Sequence, residues 1–376
     1  MILLCLPAPL EEQVVRGLAA FGEEGRIARR CADVAEVIAG VEANLGKIVL
    51  LGDDPALDLS VVSRLAACGA RVGVVPSFRP VTAIHALGAV PVAEAEMVDF
   101  VRGATPAEPV VVPIRRGRII AVWGPGGSVG RSALVRDLAA VAPDVLVVDA
   151  DTHRPCLSQL YGLEETSAIV ALARHIERGQ DPAELIDSVL VDLPGRGAGR
   201  PGRLLAGLNT GERWRELPRV VAERMWEPLA AHAEVVIVDV SGGMEARPSR
   251  EDRHAMTRSA VEAADVIVHV GAGTPVGLRR FLEHLDALGT ERIGEHHGVV
   301  LLSEHGLGMD GKTKVAALIG EAQMPVHFVR ADRRRLERCE LQARDAVSAY
   351  PRSGYSRDVR ALWEAIGSVS GHAARS

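Results

Sequence analysis

The chain has 376 residues, of which 48% are apolar, 24% charged and 3% aromatic, a composition typical of a globular α/β protein rather than a disordered chain. The net charge of −6 argues against a protein coated in nucleic acid, and no apolar run is long enough to predict a membrane span. The first residues do not predict a signal peptide. Five scattered cysteines without a CxxC pair favour a reducing cytoplasm over disulfides or a zinc site.

Residues 1–103 alternate short apolar runs with helical patterns, which predicts a doubly wound parallel sheet. The predicted strands, being short, aliphatic and bounded by turn residues, are Ile2–Leu6, Lys47–Leu51 and Arg71–Val75. The predicted helices are Glu11–Ala20, Leu59–Ala67 and Val81–Leu87. Residues 104–118 contain three prolines and no clear period, so we interpret them as an interdomain linker.

A second α/β domain is predicted over residues 119–376, with a mostly parallel doubly wound sheet of about seven strands. Its predicted strands are Ile119–Trp123, Asp144–Val148, Leu204–Gly207, Glu234–Val238, Asp265–Val270, Val299–Leu302 and Val326–Val329. A helix is predicted at Ser132–Val141 from its apolar spacing. Another helix, Tyr355–Ile366, is expected to pack against the sheet rather than on a membrane, because its polar face is mixed and not basic.

Two segments compete as a phosphate-binding loop, and both lie between a predicted strand and a predicted helix. The phosphate-loop segment, residues 124–132 (GPGGSVGRS), has glycines that let backbone N–H groups face phosphate oxygens at a helix start. It departs from GxxxxGK[ST], since Pro125 and Arg131 stand in the first-glycine and lysine slots. The GKT segment, residues 306–313 (GLGMDGKT), matches fully. Too little chain follows it to build the required sheet, so we interpret it as a polar surface loop.

Acidic residues end two of the predicted strands. Asp149 and Asp151 follow the strand after the phosphate-loop segment, and Asp239 ends a later strand. Because the carboxyl ends of parallel strands meet at one edge of a sheet, these carboxylates are predicted to lie near the phosphate-loop segment. Strand-end aspartates also cap helices and turns, so one alone would indicate little. The loop and the acids in this order indicate a nucleotide-binding site.

At these residues the chain resembles the ParA/MinD family of P-loop ATPases. The family's DxD strand corresponds to Asp149 and Asp151, and its Walker B aspartate to Asp239. Its KGGxGK[ST] loop corresponds to Gly126, Gly127, Ser128, Val129, Gly130, Arg131 and Ser132. Residues 1–103 resemble a degenerate, flavodoxin-like response-regulator receiver, with Gly52 in the phosphoacceptor position. A receiver-like domain before such an ATPase is the arrangement of CpaE/TadZ proteins, which help to position pilus machinery; related actinobacterial proteins are labelled septum-site or partition regulators.

The resemblance implies ATP and Mg²⁺ as cofactors, held by residues 126–132. Ser132 and Asp239 would bind Mg²⁺ with support from Asp149, while Arg131 would offset developing charge and Asp151 would orient the attacking water. Both family lysines are replaced, by Gly126 and Arg131, so slow hydrolysis and binding without hydrolysis both stay open. The choice of adenine over another base stays open as well.

The resemblance also implies a cytoplasmic homodimer that positions cargo in a nucleotide-dependent way and meets protein partners through the receiver-like domain. The main alternative is a non-catalytic scaffold in which both domains have lost their chemistry. A DNA-associated partition ATPase is a third interpretation. Acids interrupt the arginine-rich stretch at residues 332–338, which does not favour DNA binding.

Overall fold

A computed structural model describes residues 1–103, 116–127, 130–195, 201–244, 252–287, 296–303, 306–320 and 324–368. The chain divides into two compact units. The first comprises residues 1–113 with 173–185, and the second comprises residues 114–172 with 186–376. Ser128, Val129 and most of the predicted linker lie outside the described residues.

The first unit contains a five-stranded parallel sheet in the order β2-β1-β3-β4-β5, which is the flavodoxin-like doubly wound order. Its strands are β1 Ile2–Cys5, β2 Ile27–Arg30, β3 Ile48–Gly52, β4 Arg71–Val75 and β5 Val90–Pro91. Its helices are α1 Ala8–Ala20, α2 Val34–Glu42, α3 Leu59–Ala67, α4 Val81–Ala86 and α5 Met97–Arg102. The predicted strands and helices are all present. The edge strand β2 was not predicted, because three of its four residues are exposed and two of them are arginines, so it has no apolar run.

Local sequence explains where these elements begin and what they bury. Asp33 and Asp58 are the N-cap residues of α2 and α3. The carboxylate of each accepts a hydrogen bond from the amide of the third residue of its helix. Leu4 and Leu50 of the sheet and Val14 of α1 are fully buried in one core. Burial of such aliphatic side chains is the main force that holds helix to sheet.

The second unit contains an eight-stranded sheet in the order β13-β12-β11-β6-β10-β7-β9-β8. The strands are β6 Arg118–Trp123, β7 Val145–Ala150, β8 Val191–Asp192, β9 Gly202–Leu205, β10 Val235–Val240, β11 Val266–Ala272, β12 His296–Leu302 and β13 Val326–Arg330. All neighbours pair in parallel except β8 and β9. The seven predicted strands are confirmed. The short antiparallel strand β8 was missed, because two residues give no periodic signal.

The remaining helices are α6 Arg131–Val141, α7 Leu157–Leu160, α8 Ala168–Glu177, α9 Ala183–Val189, α10 Arg219–Ala222, α11 Trp226–Ala230, α12 Ala255–Ala263, α13 Pro275–Asp286, α14 Met309–Gly320, α15 Arg333–Leu341, α16 Ala346–Ala349 and α17 Gly354–Ser368. Val359, Leu362 and Ile366 of α17 are buried in the same core as Leu134 of α6. The prediction that the last helix packs on the domain core is therefore confirmed. Among the described residues, no helix has both the length and the apolarity needed to cross a bilayer.

Candidate phosphate-binding site

Three neighbouring strands bring the predicted site residues to one edge of the sheet. Strand β10 lies between β6 and β7, and its register pairs Asp239 with Asp149 on one side and with Val122 on the other. In the sheet, β10 and β7 lie on one side of β6, whereas β11 lies on the other side. The order of the strands therefore reverses direction at β6. Such a reversal opens a crevice at the carboxyl ends of the strands, where α/β proteins bind ligands.

The phosphate-loop segment turns sharply between β6 and α6. Gly127 and Gly130 have φ angles of 109° and 81°, in the left-handed region that favours glycine. The amide of Gly243, in the turn after β10, donates a hydrogen bond of 2.8 Å to the carbonyl oxygen of Gly124. This bond ties the start of the loop to the strand that carries Asp239.

Arg131, the first residue of α6, folds its side chain back under the loop. The residue is 9% exposed, and Nη1 donates to the carbonyl oxygens of Pro125 at 2.8 Å and Gly127 at 3.4 Å. A Cβ atom on Gly242 would lie 2.6 Å from Nη1 of Arg131 and 2.7 Å from the Pro125 oxygen, so only glycine fits there. The buried Nε atom has no hydrogen-bond acceptor among the described residues. A positive charge with spare donor capacity thus lies inside the loop.

Asp239 is fully buried, and neither of its carboxylate oxygens accepts a hydrogen bond from the described residues. Burial, together with the negative charge of Asp149, raises the pKa of this carboxyl to about 8. The Ser132 hydroxyl is near enough to lower that pKa in part, although it does not meet the distance and angle of a hydrogen bond. A buried carboxylate that accepts no hydrogen bond from the described residues is costly, and a bound cation would relieve that cost.

The carboxylates of Asp149 and Asp151 already have backbone partners. Oδ2 of Asp149 accepts from the amides of Cys156 at 3.0 Å and Leu157 at 2.9 Å, at the start of α7. Oδ1 of Asp151 accepts from the amides of His153 and Arg154 and from the Ser241 hydroxyl at 2.8 Å. Burial raises the pKa of Asp149 to about 7 in spite of these bonds. Both aspartates therefore have the structural role that is common at strand ends, in which the carboxylate caps the turn or helix that follows.

The donor set around Asp239 suits Mg²⁺ that arrives with phosphate. Among the described residues, no three His, Cys, Asp or Glu side chains are grouped so that they could hold a metal by themselves. Mg²⁺ is commonly held by one or two carboxylates, with phosphate oxygens and water completing its six ligands. Ser132 and Asp239 fit that pattern, whereas both oxygens of Asp149 already accept hydrogen bonds from backbone amides.

An arginine that the sequence did not bring to notice lies beside the phosphate-loop segment. A Cβ atom on Gly127 would be 3.7 Å from Nη1 of Arg280, which belongs to the exposed face of α13. The helix follows β11, the neighbour of β6 on the side away from Asp239. Nothing in a single sequence connects Arg280 with residues 124–132. Only the order of the strands places it there.

A chain of three histidines runs from α13 through β11 to β12. His269 of β11 contacts His284 of α13 through Nδ1 at 3.1 Å and His296 of β12 through Nε2 at 2.8 Å. The His284 ring packs edge-on against Trp123 of β6, with 4.5 Å between centroids. Burial, together with the charge of Arg131, lowers the pKa of His284 to about 4. Burial also holds the pKa of His269 well below its usual value. We therefore expect His269 and His284 to be neutral at pH 7.

This histidine chain predicts that acid destabilises the second unit. A histidine whose pKa falls from 6.5 to about 4 on folding loses its contribution to stability as the pH drops below 6.5. From pH 7 to pH 4 we expect wild type to lose about 3 kcal/mol relative to His284→Asn in the free energy of unfolding. Urea titrations at several pH values measure this difference, with the exposed His85→Asn as control. A difference that does not change with pH would contradict the prediction.

In the first unit, Asp53 follows β3 directly and is held in place. Its side chain is fully buried and accepts hydrogen bonds from the amides of Ser77, Phe78 and Arg79, with an ion pair of 2.6 Å to the Arg79 guanidinium. Burial alone would raise the pKa of this carboxyl, but these donors lower it. The arrangement occupies the carboxylate and leaves no free nucleophile at that position.

The GKT segment does not form a phosphate cradle in the structure. Helix α14 begins at Met309, so Lys312 and Thr313 already lie inside the helix rather than at its start. The Thr313 hydroxyl donates to the Met309 carbonyl, and the Lys312 ammonium lies over the Phe328 ring, 5.6 Å from its centroid. The expectation of a surface loop is therefore wrong from Met309 onward, where the segment is helical.

The fold of the second unit is similar to that of known P-loop ATPases. Solved structures with a similar fold are ParA/MinD ATPases. They include a ParA family ATPase from Chlorobium tepidum TLS, with a TM-score of 0.52 and 16% identity, which covers 66% of this chain and 98% of its own. The septum site-determining protein MinD from Pyrococcus horikoshii OT3, complexed with Mg-ADP, has a TM-score of 0.53 and 15% identity. The match covers 68% of this chain and 98% of the MinD chain.

The cell division ATPase MinD from Pyrococcus furiosus is similar to the same extent, with a TM-score of 0.52 and 16% identity over 67% of this chain and 99% of its own. No protein-family model and no curated protein matches the chain. At this identity the likeness shows the fold. The predicted α/β architecture is confirmed, and over about two thirds of the chain its fold is similar to that of ParA/MinD ATPases.

Proposed function

We propose that this chain is a ParA/MinD-type positioning or partition protein that binds Mg·ATP at residues 126–132. The observation that carries the proposal is Asp239, a fully buried carboxylate that no described residue supplies with a hydrogen bond, next to Ser132 and the buried Arg131. An interior carboxylate without partners is explained by a cation that binds with its ligand. The complex of the P. horikoshii MinD protein with Mg-ADP, which has a similar fold, supports this proposal.

Each site residue has a role in this proposal. Bound Mg²⁺ would offset the charge of the phosphates, with Ser132 and Asp239 among its ligands. The amides that follow Gly126 would face the β-phosphate, and Arg131 would neutralise charge that develops on the phosphates. Asp151, fixed by its bond to the Ser241 hydroxyl, would orient an attacking water, and Asp149 would hold the start of α7 beside the ion.

We assign the first unit the role of an interaction module, of the receiver-like kind found in CpaE/TadZ proteins. Its flavodoxin-like strand order and the position of Asp53 after β3 support this assignment. The ion pair with Arg79 occupies the carboxylate, so the module would bind its protein partners without being phosphorylated. Its cargo would be a pilus, septum or chromosome component.

Sedimentation of the full chain tests the proposal. We expect Mg·ATP to convert the wild type from monomer to dimer, whereas ATP without Mg²⁺ leaves it unchanged and Arg131→Ala blocks the conversion. The control is Lys312→Ala in the GKT segment, which should dimerise like wild type. A mass that does not respond to Mg·ATP at any millimolar concentration would contradict a nucleotide-dependent mechanism.

One observation favours the alternative of a scaffold without catalysis. The Arg131 guanidinium already donates to the Pro125 and Gly127 carbonyl oxygens, so the loop is stabilised by its own side chain. A scaffold of this kind would hold the same shape with and without nucleotide. It would bind its partners equally well in buffer, in Mg·ADP and in Mg·ATP, and the sedimentation experiment separates the two functions.

Substituting Arg280 should weaken Mg·ATP binding, because its guanidinium lies near Gly127 and would add positive charge beside the phosphates. We expect Arg280→Ala to raise the Kd about tenfold, with a smaller effect on ADP. Arg279→Ala is the matched control, since Arg279 precedes it on α13 and pairs with Glu283 on the exposed surface. Equal Kd values for the two variants, measured by calorimetry, would remove Arg280 from the site.

A further inference from the structure

Two buried hydroxyl groups, those of Thr152 and Ser241, join the turns that follow β7 and β10, and we call this pair the hydroxyl clamp. Thr152 is 2% exposed and Ser241 is fully buried. The register of β10 pairs Val240 with Ala150, so the next residue, Ser241, lies beside Asp151. The hydroxyl clamp therefore lies at the edge of the sheet that carries the proposed site.

The direction of each hydrogen in the hydroxyl clamp follows from the groups around it. The Thr152 hydroxyl donates to the carbonyl oxygen of Arg253 at 2.8 Å, and the Thr152 amide donates to the Ser241 oxygen at 3.0 Å. The hydrogen of the Ser241 hydroxyl goes to Oδ1 of Asp151, 2.8 Å away, because an ionised carboxylate can only accept. The clamp thus ends in a donor directed at one oxygen of Asp151.

The two oxygens of Asp151 differ in their hydrogen bonds. Oδ1 accepts from the Ser241 hydroxyl and from the amides of His153 and Arg154, at 2.8 and 2.9 Å. Oδ2 accepts no hydrogen bond from the described residues. Three donors on one oxygen fix the orientation of the carboxylate and leave the other oxygen as an acceptor for water.

The two neighbouring aspartates do not share this arrangement. Both oxygens of Asp149 accept from backbone amides, so this carboxylate has less capacity left for a water molecule. Both oxygens of Asp239 are buried and accept nothing from the described residues, which suits a cation. Of these three carboxylates, Asp151 alone combines an oxygen fixed by the described residues with one that they leave open.

We infer that the hydroxyl clamp positions Asp151 for ATP hydrolysis, with Oδ2 of Asp151 as the acceptor that orients the attacking water. This inference rests on the proposed function and deepens it, because it assigns the atom that receives the water and two positioning residues, Thr152 and Ser241. In the reaction the water oxygen bonds to the γ-phosphorus, and the bond from that phosphorus to the β,γ-bridging oxygen breaks with its electron pair passing to ADP. One water proton stays on the inorganic phosphate, and the other is released to solvent.

Ser241→Ala removes the donor to Oδ1 of Asp151. We expect kcat for phosphate release to fall about tenfold, since a hydrogen bond to a charged group contributes about that factor. The Kd for Mg·ATP, from titration with a fluorescent ATP analogue, should stay within about twofold of wild type, because Ser241 donates to Asp151 and not to the phosphate-loop segment. The matched control is Ser259→Ala, which loses a buried hydroxyl that accepts from Trp226 in the same unit and should leave kcat unchanged.

Two substitutions of Thr152 separate its hydroxyl from its methyl group. Thr152→Val keeps the shape but loses the bond to the Arg253 carbonyl oxygen, so kcat should fall severalfold. Thr152→Ser keeps the hydroxyl and should restore most of the rate. The opposite order would mean that packing of the methyl group is what matters, and it would remove Thr152 from the inference.

Asp151→Asn distinguishes positioning from a general loss of structure. This variant should release phosphate at least about 100-fold more slowly than wild type. Adding Ser241→Ala should lower the rate no further, because Ser241 acts through Asp151. An equal effect of Ser241→Ala in both backgrounds, or a Kd weakened as much as kcat, would overturn the inference.

Ser241→Cys keeps a weak donor at this position and replaces Ser241→Ala in the same measurements if circular dichroism shows that the alanine variant does not fold. Wild type that binds Mg·ATP but releases no phosphate over a day would overturn the inference and leave the proposed binding function in place. Wild type that does not bind Mg·ATP would contradict both.

Discussion

Replacing Asp239 with asparagine is expected to stabilise the metal-free chain and to abolish its response to Mg·ATP. Burial raises the pKa of Asp239 from 3.8 to about 8, so the folded state keeps a proton that the unfolded state releases. The contribution of this carboxyl to stability is complete below pH 3.8 and is lost as the pH rises through 8. Between pH 5 and 9, the advantage of Asp239→Asn should grow by on the order of 4 kcal/mol.

Urea titrations across this pH range measure the effect, and Glu234→Gln is the matched control. Glu234 is exposed just before β10 and should change the free energy of unfolding by less than about 0.5 kcal/mol. With Mg·ATP present, the order should reverse, because wild type gains a bound ligand and Asp239→Asn does not. A variant that is less stable than wild type at pH 9 without metal would mean that protein donors stabilise the Asp239 carboxylate.

Arg131→Lys should bind Mg·ATP about tenfold more tightly than wild type and hydrolyse it faster. In wild type the guanidinium donates a bond of 2.8 Å to the Pro125 carbonyl, and we expect it to give up this bond when the loop receives phosphate. A hydrogen bond to a charged group contributes about 1.5 kcal/mol or more, which is a factor of about ten in affinity. The lysine ammonium is a compact point charge that fits the space more easily.

Titration with a fluorescent ATP analogue and a phosphate-release assay measure both effects. Arg279→Lys is the control for an arginine-to-lysine change on the surface, and it should match wild type. Weaker binding by Arg131→Lys would mean that the loop is shaped around the guanidinium as a phosphate ligand. In that case the bond to Pro125 would be part of the binding-competent state.

The sequence predicts the central strands well because parallel strands buried on both faces are short aliphatic runs. Val145–Val148 and Val235–Val238 are such runs, and both are fully or largely buried. Edge strands do not carry this pattern. In β2 the residues Ala28, Arg29 and Arg30 face solvent, and β8 has only two residues, so neither could be recognised.

The convergence of the phosphate-loop segment with Asp149 and Asp239 was also predictable, because strand ends gather at one edge of a parallel sheet. What each carboxylate contacts was not predictable. The partners of Asp149 depend on how the chain turns from β7 into α7, and those of Arg131 depend on the turn at Gly242. The GKT segment shows the reverse case, since a sequence pattern does not say where α14 begins.

Equilibrium binding of Mg·ATP to wild type, Arg131→Ala and Lys312→Ala tests the central claim most directly. The account predicts that wild type and Lys312→Ala bind alike, whereas Arg131→Ala binds at least about 100-fold more weakly because the loop loses its buried positive charge. Binding that survives Arg131→Ala and is lost in Lys312→Ala would place the nucleotide at the GKT segment and contradict the account. A wild-type chain that does not bind Mg·ATP at about 5 mM would also contradict the account.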